Sequence, residues 1–216
     1  MGVLPDTAPP RNQRWRHWAF SLTRVHDSAG IADLDVPWWT YGAIDAVQSF
    51  IDSRRGRVRA FEWGSGASTI WLARRVTSVN SVEHHAGFGT AMQERLAEFS
   101  NASLEIIEPV ASAQPVVPSL KEGQAGMDFA DYVAHIKAVA ADGGPFDLIV
   151  IDGRAREACL TAALEHLAPG AIVVFDNSWR IRYRRAIKAL PVYETLYRGI
   201  TPTTPYPEQT SIIIAR

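Results

Sequence analysis

The sequence predicts a doubly wound α/β sheet, mostly parallel, with an antiparallel strand pair at its C-terminal end. Three observations predict it. Short apolar runs alternate with segments of helical period, the pattern of strands joined by crossover helices. Two of those runs, GGPFDLIVID ending at Asp152 and AIVVFDN ending at Asn177, are nearly continuous in apolar residues, as central strands buried on both faces are. The last stretch, VYETLYRGI and then EQTSIIIAR, reads as two strands joined by a proline-rich loop.

The elements follow in order. Residues 1–14 are rich in Pro, Arg and Asn and predict a mobile tail. From Trp15 to Asp35 the periodicity is weak, so residues 1–36 are assigned to an N-terminal extension, partly mobile, and 37–216 to one domain. Pro37 suits a first helical turn, and Tyr41, Ile44, Val47 and Ile51 recur at helical spacing, predicting a helix over Pro37–Ile51. VRAFEW is a strand entering a GSG loop, and Ser68–Arg75 a short helix. VTSVNSVE is a second strand ending at Glu83. Thr90–Phe99 is amphipathic, and Ala102–Glu108 is a third strand. Residues 109–126 hold three prolines and two glycines without a period, which marks a functional loop. Asp128–Ala141 is helical, then the GGPFDLIVID strand, a helix over Arg156–Leu167, the AIVVFDN strand and a helix over Arg180–Leu190.

Composition bounds the function. With 216 residues, 47% of them hydrophobic, the chain suits one globular domain, and a formal net charge of -1 gives no global pull toward nucleic acid or anionic membranes. A single cysteine, Cys159, excludes an internal disulfide and fits a reducing compartment. The start MGVLPDTAPPRNQR has no apolar h-region, Asp6 breaks a myristoylation pattern, and no apolar run would span a bilayer. These features predict a cytoplasmic protein with a small-molecule substrate rather than nucleic acid or a membrane, and they are compatible with a homodimer.

In a doubly wound sheet the ligand binds at the carboxyl ends of the strands, near the topological switch point. Here an acid stands at each such end: Glu62, Glu83, Glu108, Asp152 and Asp176. The GSG loop fits a dinucleotide fingerprint at Gly64 and Gly66 but has Thr69 where the third glycine belongs. Glu62, directly before the loop, would repel a pyrophosphate. It suits a cofactor bearing an ammonium group, which S-adenosylmethionine has, along with a carboxylate for loop amides and a ribose for Glu83. The other readings are an NAD-dependent oxidoreductase, a non-catalytic nucleotide-binding or interaction domain, and a plain turn using glycines for positive φ.

With EWGSGAS at Glu62–Ser68, Glu83 one strand later and the terminal strand pair, the chain resembles the class I S-adenosylmethionine-dependent methyltransferases over roughly residues 37–216. That family has a Rossmann-like fold. The resemblance implies that Glu62, Gly64, Ser65 and Gly66 line the methionine moiety, that Glu83 holds the ribose, and that His84 lies near the adenine. Ser68 stands where the family motif has its last glycine, and its hydroxyl would meet the cofactor carboxylate. Asp152 would support the cofactor and sit at the reaction centre.

IDGR and FDNS follow strands predicted to be neighbours, so Asp152, Asp176 and Asn177 would converge. The set is similar to that of catechol O-methyltransferases, where such residues hold Mg²⁺, and carboxylate and amide oxygens suit that ion. The alternative is that Asp176, Asn177 or Ser178 caps the next helix. Arg154 and Arg156 stand where those enzymes carry a lysine base, and arginine does not deprotonate. Arg154 is instead predicted as a catalytic-site clamp for a substrate carboxylate or phosphate. His84, His85 and His135 are the candidate bases if no metal binds. Of Trp38, Trp39 and Tyr41, the packing reading takes at least two, and one would cover the cofactor. RIRYRRAIK, Arg180–Lys188, is a solvated helix face or the mouth of an anionic-substrate site. The expected activity is therefore methyl transfer from S-adenosylmethionine to a hydroxyl of a small, anionic or sugar-like metabolite.

Overall fold

The computed structural model describes residues 7–24 and 28–216. Residues 1–6 of the predicted tail lie outside the described residues. Helices α1 (Arg14–Arg24), α2 (Ser28–Asp33) and α3 (Tyr41–Ser53) precede the first strand. There follow β1 (Arg59–Trp63), α4 (Ala67–Ala73), β2 (Ser78–Glu83), α5 (Ala86–Leu96), β3 (Ala102–Ile106), β4 (Val110–Ala111), β5 (Met127–Asp128) and α6 (Ala130–Gly143). The chain closes with β6 (Phe146–Ile151), α7 (Arg156–Leu164), β7 (Leu167–Phe175), α8 (Ile181–Lys188), β8 (Val192–Thr201) and β9 (Thr204–Ala215).

Seven strands form one sheet in the order β3-β2-β1-β6-β7-β9-β8. From β3 to β7 every neighbour is parallel, and β9 pairs antiparallel with both β7 and β8. The predicted fold class is the observed one. The order reverses between β1 and β6, so the switch point falls where the GSG loop meets IDGR.

Period-two alternation sends successive side chains to opposite layers. On one face Ala60, Leu148, Val150, Ile172 and Val174 pack beneath α2, α3 and α4. On the other Phe61, Trp63, Ile149, Ile151, Val173 and Phe175 pack beneath α6, α7 and α8. Glu62 shares the face of Ala60 and therefore lies under α4 rather than at the sheet rim. Seven of the core side chains named here on β6 and β7 are fully buried (Leu148, Ile149, Val150, Ile151, Val173, Val174 and Phe175, each 0% exposed), as their continuous apolar runs predict.

The segment assigned to an N-terminal extension packs closely where it is described. Trp18 Nε1 donates to the Thr204 carbonyl at 2.9 Å, Thr203 N donates to Ser21 Oγ at 2.9 Å, and His17 Nδ1 lies 2.6 Å from the Tyr41 hydroxyl. Ile31, Ala32 and Val36 enter the core. The irregular stretch 109–126 is bracketed by the small β4–β5 ladder, and Asp128 fastens it by accepting from Val116 N, Val117 N and Ala130 N. No helix among the described residues is long and apolar enough to cross a membrane.

Candidate active site

A cleft of about 390 Å³ opens over the carboxyl ends of β1, β2 and β6, lined by the loop Gly64–Ser68, by Glu83, His84, His85 and Phe88, by Asp152, Gly153 and Arg154, and by Trp38. The GSG loop forms its floor. Gly64 has φ +94°, and a Cβ there would stand 2.6 Å from the Gly153 Cα and N. The two loops therefore touch backbone to backbone, tied by Asp152 N donating to the Trp63 carbonyl at 3.0 Å. Gly66 has an extended φ of 171°, and a Cβ there would meet no atom within 4 Å. Ser65 is buried and its hydroxyl has no partner among the described residues. The amides of Ala67 and Ser68, in the first turn of α4, meet no acceptor among the described residues, as the first amides of a helix do without a cap.

Glu62 departs from its implied role. It is 0% exposed and takes no part in the cleft wall. Ser68 Oγ donates to its Oε1, and Thr69 Oγ1 and Ser81 Oγ donate to its Oε2. Thr69 Oγ1 in turn accepts from Gly66 N at 2.9 Å. The Ser68 hydroxyl is thus spent on Glu62 and not offered to a ligand. The absent third glycine has a structural reason: Thr69 relays Glu62 to the loop. Burial pushes the Glu62 carboxyl up to about 7 from an ordinary 4.5, against the three hydroxyl donors and with help from Asp152. The folded chain holds a proton here that the unfolded chain releases, so stability falls as pH rises from about 4.5 to about 7. Glu62→Gln is expected to flatten thermal stability across that window, removing a slope worth about 3 kcal/mol. Melting curves at pH 5, 6, 7 and 8 that keep the wild-type slope in the variant would exclude this.

Glu83 ends β2 and faces the cleft. Its Oε1 accepts from His84 N and His85 N, both at 2.9 Å, and lies 2.6 Å from His84 Nδ1. Burial would raise this carboxyl, but His84 and the two amides outweigh it and hold the pKa below the usual range. No described residue donates to Oε2, which is left for a ligand. The His84 ring sits 6.0 Å from Phe129 and 6.1 Å from Tyr132. His85 Nδ1 caps α5 by accepting from Phe88 N at 3.1 Å. His135 lies outside the cleft, on α6 beside Phe61, so it drops out as a candidate base. Trp39 and Tyr41 are core, while Trp38, 38% exposed, is on the cleft wall with its Nε1 on Thr203 Oγ1 at 2.8 Å.

The predicted metal set does not fit a cation. β6 and β7 are neighbours, as expected, but the cation already paired with Asp152 is the buried guanidinium of Arg156. Its Nη2 donates to Asp152 Oδ1 at 2.7 Å and to the Asp152 carbonyl at 2.6 Å, its Nη1 to the Asp176 carbonyl at 2.6 Å, and its Nε to the Gly153 carbonyl at 3.0 Å. Asp176, 3% exposed, does not line this cleft, and accepts from Thr210 Oγ1 at 2.7 Å. Burial and the Asp152 charge raise its pKa. Asn177, at φ +51°, turns its amide to Glu208 Oε2 at 3.4 Å. Among the described residues no group of three His, Cys, Asp or Glu is placed to hold a metal. The capping alternative also fails: Arg180 is the N-cap of α8, without a side-chain cap bond.

Sequence reasoning missed Phe88, an aromatic wall five residues after Glu83, and Lys121, in the irregular loop. The second feature it underread is a pocket of about 220 Å³ beyond Arg154, lined by Ser119–Lys121, Gly153–Glu157, Asn177, Arg180, Arg182 and Tyr183. Gly153 and Arg154 belong to both cavities.

The model of one protein family, the methyltransferase domain, matches residues 61–178, which carry the floor, the Glu83 wall and the IDGR loop. This chain belongs to that family. The methyltransferase has the class I fold, and its methyl donor is S-adenosylmethionine. No curated protein matches the sequence. Among solved structures it is similar to an rRNA methylase from Streptococcus thermophilus, at 12% identity over 79% of this chain and 95% of that one, with a TM-score of 0.53. It is also similar to a methyltransferase-like protein from Silicibacter pomeroyi, at 18% identity over 79% and 84% with a TM-score of 0.49, and to an S-adenosylmethionine-dependent O-methyltransferase from Thermotoga maritima, at 15% over 79% and 64% with 0.46. At 12% identity the likeness to the first of these speaks for the fold alone. Family membership removes the NAD-dependent oxidoreductase as a reading of the GSG loop.

Proposed function

We propose that the methyltransferase acts on a hydroxyl of a small metabolite bearing negative charge. The observation that carries this reading is the continuity of the cleft with the cation-rich pocket through Gly153 and Arg154, with Asp152 directly before them. Bound in the cleft, S-adenosylmethionine supplies an electrophilic methyl group. The residues present fit it. The unpartnered Ser65 hydroxyl and the amides of Ala67 and Ser68 suit the cofactor carboxylate, and the open space beside Gly66 admits it. Glu83 Oε2 suits the ribose hydroxyls, and His84, Phe88 and Trp38 provide aromatic faces.

Asp152 is the group we assign to the acceptor hydroxyl. Its Oδ1 is tied to Arg156, its side chain is 22% exposed, and no described residue donates to Oδ2. Burial raises its pKa against the pull of Arg156, which favours a carboxylate that takes a proton. Arg154 is the positioning clamp. Catalysis here rests on orientation and exclusion of water.

Calorimetry with S-adenosylhomocysteine tests the seat. The wild type is expected to bind, and Glu83→Ala to weaken binding about 10- to 100-fold, the value of one or two hydrogen bonds to a charged group. Absence of binding to the wild type would sink the reading. Incubation with methyl-labelled cofactor and a metabolite extract should place label on oxygen; label on nitrogen would overturn the hydroxyl assignment.

A further inference from the structure

We infer that the pocket beyond Arg154 is a binding site for a doubly charged oxyanion, the phosphoryl group of the acceptor. This rests on the methyl-transfer reading for the word acceptor, but the site itself does not depend on it.

Two helices begin at this pocket, and neither is capped. α7, nine residues long, starts after Ala155, which has φ +47° and no side-chain cap; α8, eight residues long, starts after Arg180, also without one. The amides of Arg156 and Glu157 and those of Ile181 and Arg182 meet no acceptor among the described residues. Both N-termini therefore present free N–H groups and positive dipole ends to one small space. A single uncapped helix would mean little; two converging ones ask for an acceptor from outside.

The side chains agree. Arg154, Arg180 and Lys121 make no ion pair among the described residues, and Arg154 Nε is buried without a hydrogen-bond partner. Arg182 is stacked 4.7 Å over Tyr183, with Nη2 donating to the Tyr183 hydroxyl at 3.0 Å, and is thereby held at the pocket wall. The one acid in the lining, Glu157, lies 3.5 Å from Arg182 Nε and offsets only that charge. Arg156 is already consumed by Asp152 and three carbonyls. Three unpaired cations and two helix dipoles exceed what one carboxylate would neutralise, and guanidinium forks match a phosphate geometrically. At about 220 Å³ the pocket takes a phosphoryl group and a few attached atoms, not a nucleic-acid strand. Because Arg154 spans both cavities, an anion seated there would hold a neighbouring hydroxyl toward Asp152.

The probe is inorganic phosphate, titrated against the full chain at constant ionic strength, with acetate and chloride as controls and with and without saturating S-adenosylhomocysteine. Phosphate is expected to raise the unfolding temperature and to give a calorimetric isotherm; acetate at equal concentration should do neither. Arg180→Ala and Arg154→Ala should each weaken phosphate at least about tenfold, equivalent to 1.4 kcal/mol. Arg185→Ala, exposed and outside the lining, should stay within twofold. Arg180→Ala should leave S-adenosylhomocysteine affinity unchanged. Equal effects of acetate and phosphate, or equal losses in Arg185→Ala, would overturn the site. So would phosphate failing in both liganded and unliganded chain. If S-adenosylhomocysteine fails to bind but phosphate binds as described, the cofactor seat falls and the anion site stands. Binding of a short RNA that phosphate cannot displace would overturn the small-molecule assignment.

Discussion

Gly64→Ala is expected to lower the unfolding temperature by about 10 °C and to abolish cofactor binding. The new Cβ would lie 2.6 Å from the Cα and N of Gly153 and 2.9 Å from the Asp152 carbonyl carbon, at a φ of +94° that L side chains rarely adopt. All three neighbours are backbone, so no rotamer relieves the contact. Strain at such a φ costs about 1–3 kcal/mol and overpacking about as much again. For a chain of this size each kcal/mol moves the melting temperature by about 2–4 °C. Relief requires parting the two loops, which breaks the Asp152 N bond to the Trp63 carbonyl and displaces Asp152 from Ser65 and Gly66. Gly66→Ala separates binding from stability. Its φ is extended and its Cβ would meet nothing, so folding should be unchanged within about 1 kcal/mol, while the methyl group intrudes on the cleft. Melting curves and S-adenosylhomocysteine calorimetry on both variants check this. A Gly64→Ala protein that melts with the wild type, or a Gly66→Ala protein that binds cofactor normally, would contradict the account.

What the sequence disclosed and what it withheld divide along a physical line. Strand ends were legible, because burial on both faces forces continuous apolar runs and the ligand edge of such a sheet is fixed by topology. Glu83, Gly64, Ser65, Gly66 and Asp152 were found in that way, and each lines the cleft. Side-chain direction at the same ends was not. Glu62 was placed toward a ligand because it precedes the glycines. Strand alternation counted from Ala60 puts it under α4, where Ser68, Thr69 and Ser81 already wait for it. Helices α1 and α2 were blurred for another reason, whereas α3 was legible from its apolar spacing. The apolar residues of α1 and α2 meet the β8–β9 hairpin and the core in separate patches, so no single stripe runs along the sequence. The basic pocket draws on Lys121, Arg154 and Arg180 from three distant segments, each an unremarkable charge in isolation. RIRYRRAIK gave a signal, but one that could not distinguish a solvated face from a site wall.

Arg156→Met is expected to cost about 3–5 kcal/mol, the usual loss when one partner of a buried ion pair is removed. Methionine keeps the length and most of the volume of the stem, so the loss reports charge and hydrogen bonds rather than a cavity. Three carbonyls, those of Asp152, Gly153 and Asp176, lose their donor, and Asp152 loses its counter-charge. The sign of the pH dependence follows. Burial already raises the Asp152 pKa, and Arg156 opposes it. Without the guanidinium the folded-state pKa rises further above its unfolded value, so the variant holds a proton it must surrender as pH increases. The deficit relative to wild type should therefore grow between pH 5 and pH 8. Asp152→Asn introduced into the Arg156→Met chain should recover part of the stability at pH 8 and little at pH 5, a coupling that a double-mutant cycle measures directly. A catechol-type Mg²⁺ site predicts the reverse pattern of sensitivities. Then EDTA and Asp176→Ala would abolish turnover, and Arg156→Met, by freeing Asp152 Oδ1, would tighten Mg²⁺ binding. With Arg156 as the resident cation, EDTA should leave wild-type activity unchanged. Mg²⁺ should not raise the wild-type melting temperature, and the reaction should lose its acceptor geometry when the guanidinium goes. Activity that vanishes with EDTA and returns with Mg²⁺ would show that a metal, and not Arg156, organises Asp152.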